Sequence, residues 1–219
     1  MNQYGFRTQV LSMDPNPSPL LNASQAQEMN DQLAAAIKPY PDRFRGFCFP
    51  PMADPEAAAA EFERCKNELG FLGALVDCHL GNMTFYGNTV YDSFWKTAED
   101  LQMPIYLRPT YPPGSDVTSA GGRDNGSSLI ISGVMSSLGY QWHVDAWLSF
   151  LHLWTEGVFE CFPNVKVVLG HGAFKQYGVT AYEAWDANVW VTTSGFFSLD
   201  PFKMLLTTTK TERIMFSVD

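Results

Sequence analysis

Apolar residues along this chain recur with two alternating periods. Short runs rich in β-formers read as strands at Phe6–Ser12, Phe44–Phe49, Phe71–Val76, Pro104–Leu107, Val165–Leu169, Val189–Thr193 and Arg213–Val218. Between them, apolar residues three and four apart predict helices. The first opens near Ser24, where Ser24 and Gln27 suit a capping box and Met29, Leu33, Ala36 and Ile37 make one face. The second opens at Asp54-Pro55, a cap residue before a proline at the first helical position. It buries Ala58, Phe62, Cys65 and Leu69 before Gly70 stops it. Thr89–Leu101 turns Val90, Phe94, Ala98 and Leu101 to one side, and Trp142–Phe159 reads as one long helix with Trp147, Phe150 and Trp154 in the core. A short helix opens Asp-Pro at Asp200 and runs to Thr208. The longest irregular segment, from Pro109 to about Leu138, is rich in Pro, Gly, Ser and Asp. A loop of that length in a compact domain is usually functional.

Strands that alternate with helices build a parallel sheet, and right-handed crossovers leave a doubly wound sheet or a closed barrel. No Gly-x-Gly-x-x-Gly follows the first strand, which weakens the dinucleotide-binding version of the former. Polar residues gather instead at the C-terminal ends of the strands: Asp77 and His79, Arg108, His171, Ser194 and Asp219. A barrel enzyme keeps its site there. The expectation is a single α/β domain over residues 1–219, a (β/α)8 TIM-barrel-like fold.

Composition narrows the function. Of 219 residues 46% are hydrophobic and 17% charged, a balance that folds into a packed core. The formal net charge of −9, with no Lys/Arg cluster to reverse it locally, argues against nucleic acid as a partner. No run of about 18 apolar residues predicts a membrane span. Met1 to Arg7 reads as neither a signal nor a transit peptide. Cys48, Cys65, Cys78 and Cys161 lie far apart, which suits buried free thiols in a reducing cytosol.

Six phrases then fall in one order: Gly70-Phe71-Leu72-Gly73-Ala74-Leu75; Met103-Pro104-Ile105-Tyr106-Leu107-Arg108-Pro109; Gly157-Val158-Phe159 with Phe162-Pro163; Val168-Leu169-Gly170-His171-Gly172; Thr192-Thr193-Ser194-Gly195; and Arg213-Ile214-Met215-Phe216-Ser217-Val218-Asp219. Together they resemble the 2,3-dihydroxybenzoate and γ-resorcylate decarboxylases of the amidohydrolase superfamily, the branch related to aminocarboxymuconate-semialdehyde decarboxylase. The resemblance implies non-oxidative decarboxylation of a hydroxylated aromatic carboxylic acid, with a divalent metal (zinc, manganese or magnesium) at the barrel mouth. It implies His171 as a catalytic residue, and Asp219 as both a catalytic residue and a metal ligand. Trp142-His143-x-Asp145 resembles a Trp-His-x-acid phrase at a helix start that faces the pocket, so Trp142 and His143 join Ser194 and Arg108 as candidate substrate contacts.

Against that family plan, the chain opens at what corresponds to the second strand, and a Glu-x-His ligand strand has no counterpart. Arg108 stands where the family carries a histidine, Phe174 where it carries a glutamate, and the family continues past the position of Asp219 into further helices. Arg108 either clamps a substrate carboxylate by two parallel hydrogen bonds or fills the ion's space with a salt bridge. The departures predict no stoichiometric zinc, manganese or magnesium at the family site, with Arg108 paired to Asp219 or to a bound carboxylate. They keep two other readings beside decarboxylation: a metal-free homologue that performs acid–base isomerisation or cyclisation on an aromatic acid, and an inactive form. A space left between the sheet edges is expected to be covered by another segment, a partner chain or a symmetric contact, and hence a homo-oligomer is expected.

Overall fold

The computed structural model describes residues 5–13, 21–81, 83–109, 142–170, 179–193 and 199–217, with backbone alone for 179–182. Seven strands form one sheet: β1 Gln9–Leu11, β2 Phe44–Cys48, β3 Gly73–Asp77, β4 Pro104–Arg108, β5 Lys166–Leu169, β6 Val189–Thr192 and β7 Ile214–Met215. Their spatial order is their chain order, and every described pair is parallel. A doubly wound sheet needs a point where that order reverses, and there is none here. All seven predicted strands form.

The sheet curls. The Tyr106 and Thr192 hydroxyls lie 3.3 Å apart although β5 runs between their strands, a reach open only across the concave face. Gly170 makes the room: a Cβ there would lie 3.0 Å from the Tyr106 ring. At the two edges Phe6, ahead of β1, and Phe216, after β7, stack with ring centroids 5.7 Å apart and 14° between planes. Of anything that covers the space between the edges, the described residues show this one pair.

Helices pack on the convex face: α1 Ala23–Ile37, α2 Pro55–Asn67, α3 Asp92–Asp100, α4 Trp142–Thr155, α5 Val158–Cys161, α6 Val179–Asn188 and α7 Leu199–Thr208. The core lies between the two layers. Ile105, Leu107, Val167, Leu169 and Val191 face outward from the strands and meet Phe62, Phe94, Phe150, Leu153 and Trp185 from the helices. Apolar residues on this scale contribute about 1.5–3 kcal/mol each when removed from water.

Local chemistry explains where prediction and structure part. The capping box of α1 is formed by Asn22 and Gln25, two residues ahead of the expected Ser24 and Gln27. The predicted helix at Thr89 starts as a 3-10 turn, Thr89–Tyr91, whose tighter winding turns Val90 out to solvent and leaves Phe94, Trp95 and Ala98 inside. The long helix from Trp142 breaks at Gly157, whose φ of +83° ends one helix and opens the next. Helix α6 was not predicted. Cys161 is exposed, contrary to expectation, while Cys48, Cys65 and Cys78 are buried and all four are free thiols. The Asp54 cap and the Gly70 stop, at φ +69°, stand as read. Trp147 and Trp154 are only partly buried, against a fully buried Phe150.

Gly73 is where β3 meets β4 closest. A Cβ there would lie 2.6 Å from the Pro104 carbonyl oxygen and 2.9 Å from the Phe47 ring. Backbone cannot move aside as a side-chain tip can. Gly73→Ala is expected to lower stability by about 1–3 kcal/mol, read from urea denaturation.

Candidate active site at the C-terminal mouth

Side chains alternate across a strand, so the face that Tyr106 occupies is also the face of Arg108, two residues on. Arg108 is the last residue of β4, and its register partner on β3 is Asp77, the last residue there. Both therefore stand at the concave rim. The chain holds this rim together beyond the ladder: the Cys78 amide donates to the Arg108 carbonyl at 2.8 Å, and the Gly170 amide to the Leu107 carbonyl at 2.9 Å. Gly170 leads directly into His171. The adjoining rim is tied in the same way, with the Thr193 amide donating to the Met215 carbonyl at 3.0 Å, one residue before Ser194.

Three ionisable side chains are sunk into the rim. Asp77 is 2% exposed, His79 5% and Asp145 2%. A charge is kept from water only where other charges and hydrogen bonds compensate. His79 Nδ1 lies 2.7 Å from the Leu80 carbonyl oxygen, which can only accept, so Nδ1 carries the proton. Nε2 then faces Asp145 Oδ2 at 3.8 Å, an ion-pair distance rather than a direct hydrogen bond. Burial alone pushes the His79 imidazolium down; Asp145, the Leu80 carbonyl and the Asp77 charge outweigh it, and its proton is held above the usual histidine range. The same carboxylates act in reverse on their neighbours. Burial, then Asp145 and Asp77, push the Cys78 thiol up, so it is no nucleophile. Burial and Asp77 likewise push the Tyr86 phenol up.

Asp145 belongs to the first turn of α4, which also carries Trp142, buried, and His143, half-buried. Ser149, one turn on, donates to the Cys78 carbonyl at 3.1 Å. The helix start is thereby fixed to the end of β3, next to Arg108. Of the residues singled out in the sequence, the structure brings Arg108, Trp142 and His143 to this mouth. His171, Ser194 and Asp219 lie outside the described residues, as does Phe174, and so does the expected pairing of Arg108 with Asp219. In the sequence Asp77 and His79 are strand-end polar residues without an assigned role, and Asp145 is only the acid of its phrase. The signal that marks them is a charged residue at the end of, or inside, an otherwise apolar run. The sequence does not show that these runs meet.

Among the described residues no three His, Cys, Asp or Glu side chains converge as a metal site requires. The described mouth instead presents the guanidinium of Arg108, which cannot ligate.

Comparison with known proteins agrees with this geometry. Residues 20–219 match the amidohydrolase family profile. Decarboxylase orsB of Emericella nidulans is 39% identical over 100% of this chain and 71% of its own length. The γ-resorcylate decarboxylase of Polaromonas sp. is 31% identical over 100% of this chain and 74% of its own. A dihydroxybenzoic acid decarboxylase from Polaromonas sp. JS666, crystallised with bound manganese and the inhibitor 2-nitroresorcinol, superposes with a TM-score of 0.83 at 28% identity, over 100% of this chain and 73% of that one.

Proposed function

The chain belongs to the amidohydrolase family, and we propose that it is a carboxy-lyase that removes carbon dioxide from a hydroxylated aromatic acid without an oxidant. The observation that carries this reading is similarity to named decarboxylases along the whole chain, with an arginine set among buried charges at the mouth. In such a reaction the bond between ring carbon and carboxylate carbon breaks. Its electron pair stays on the ring carbon and takes up a proton there, so one acid suffices. Arg108 holds the anionic acid through its planar fork of donors. Trp142 and His143 border the ring, and Ser194 contributes a further contact. The proton is assigned to His171, which the resemblance implies as a catalytic residue, and Asp219 is kept as the second catalytic residue that it implies. The relative with bound manganese shows that a divalent ion serves this family. The free thiols suit a reducing cytosol as the setting, and among the described residues no helix is long and apolar enough to cross a membrane.

The test is a set of hydroxybenzoates that includes γ-resorcylate and 2,3-dihydroxybenzoate, incubated with the purified protein. Equal amounts of carbon dioxide and the matching phenol are expected from at least one acid. An isomer formed with no carbon dioxide would favour the acid–base reading that Arg108 also permits. Full recovery of every acid would overturn both.

A further inference from the structure

Helix α4 is apolar for most of its surface, yet Asp145, Ser149 and His152, with Glu156 just past its end, fall at the spacing of one helical stripe. Each touches the segment that follows β3. Asp145 faces His79 at 3.8 Å, and Ser149 binds the Cys78 carbonyl at 3.1 Å. The His152 ring stacks on Phe85 at 4.1 Å with 10° between planes, and Phe85 in turn meets His79 edge-on at 5.3 Å. Glu156 pairs with His152 at 2.8 Å, and the backbone runs so close that a Cβ on Gly87 would lie 2.8 Å from the His152 carbonyl oxygen. The stripe is a clasp. At its outer end the contacts are half-exposed; at the mouth end they are buried, and that end is where charge matters most.

We infer that Asp145 is a positioning residue: through His79 it fixes the first turn of α4, with Trp142 and His143, onto the strand ends that carry Asp77 and Arg108. Its consequence for turnover rests on the decarboxylase reading; the clasp itself does not. His79 is the ionisable group that Asp145 faces in this arrangement. Acting on it are Asp77 at the end of β3, the Leu80 carbonyl and the Phe85 ring from its own segment, and Asp145 from α4; Cys78 and Tyr86 feel the same Asp77 charge, and Arg108 of β4 is the strand neighbour of Asp77. A protonated His79 faces the buried carboxylate of Asp145 at 3.8 Å and is held by the Asp77 charge as well; a neutral one gives up both attractions. The fold raises the proton affinity of His79. The His79 contribution to the clasp is therefore fully present below the ordinary histidine range, and it is lost as pH rises through the raised value.

The experiment uses the full chain and the variants Asp145→Asn and His79→Gln. Imidazole signals of the four histidines are followed by NMR, with His79 assigned by its loss in His79→Gln. In Asp145→Asn the His79 titration is expected to move down. Amides 146–149, whose bonds to the carbonyls of 142–145 define the first turn, are expected to exchange faster in both variants. For the acid that the protein decarboxylates, kcat/KM is expected to fall roughly tenfold in Asp145→Asn, with the basic limb of its pH profile shifted to lower pH. An unmoved His79 titration, or first-turn exchange unchanged in both variants, would overturn the clasp. A uniform loss at all pH values, in step with lost thermal stability, would overturn the positioning role. Faster exchange and a moved titration in a protein that releases no carbon dioxide would sink the decarboxylase reading and leave the clasp standing.

Discussion

Arg108→Ala is expected to lower kcat/KM for the aromatic acid about a hundredfold, chiefly through KM, while the fold survives. The guanidinium stands at the end of β4 on the concave face, half-buried, beside the Asp77 position of β3. Charge-assisted hydrogen bonds are worth about 1.5–3 kcal/mol each, and two parallel bonds to a carboxylate account for a hundredfold, which is about 2.7 kcal/mol. Arg108→Lys keeps the charge and loses the fork, so it should recover part of the affinity and not all of it. The measurement also decides between the two roles that the sequence left open. A clamp for substrate shows as a KM effect with an unchanged melting curve. An arginine that only fills space with a salt bridge shows the opposite, a lower melting point with KM retained. Steady-state kinetics and a thermal melt on the same preparations separate them.

Much of this architecture could be read from the chain because a barrel strand is buried on both faces. Val167-Val168-Leu169 and Ala74-Leu75-Val76 have no solvent face to dilute, so they stand out as unbroken apolar runs. The edge strands were predicted longer than they are, since β1 and β7 each have one neighbour and the ladder stops after three and two residues. Helix α6 went unread for the converse reason: Val179–Asn188 mixes polar and apolar residues with almost no sidedness, and it is placed by packing Trp185 into the core. At the mouth, Arg108 was legible because a permanent charge at the end of an apolar strand has few bland explanations. The His79–Asp145 pair was not. Its members belong to a loop and a helix with no shared motif, and only the docking of α4 against β3 brings them together.

Asn30→Leu is expected to lower stability by about 4 kcal/mol. Asn30 lies on α1 with 0% exposure. Its Oδ1 accepts from the Phe49 amide at 2.9 Å, and its Nδ2 donates to the Phe49 carbonyl at 3.1 Å and to Glu61 Oε1 at 2.7 Å. Phe49 has just left β2, so its peptide groups are past the ladder, and the asparagine amide satisfies both as a neighbouring strand would. The same amide anchors Glu61 of α2, which also takes two bonds at 2.8 Å from Arg64. Arg64 continues to Asp31 on α1 at 2.9 Å. Leucine has the same branched outline and is bulkier, so no cavity opens and the loss is chiefly polar, with some overpacking added. Each buried group left without a partner costs about 1–3 kcal/mol, and the substitution orphans two backbone groups while removing one of four bonds to a buried carboxylate. Against a total of about 5–15 kcal/mol this is a large fraction, and at about 2–4 °C per kcal/mol it lowers the midpoint by about 8–16 °C. Asn30→Asp makes a sharper companion. It keeps the acceptor for the Phe49 amide but sets a second carboxylate against Glu61, so one of the pair must hold a proton in the folded state. That raises a folded-state pKa above its unfolded value; the variant's deficit against wild type is then smallest in acid and grows as pH rises through the raised value. Urea denaturation of both variants at two pH values reads the effect directly. A deficit below about 1 kcal/mol for leucine, within the range of an ordinary surface substitution, would show that water or a shifted backbone takes over the role of Asn30.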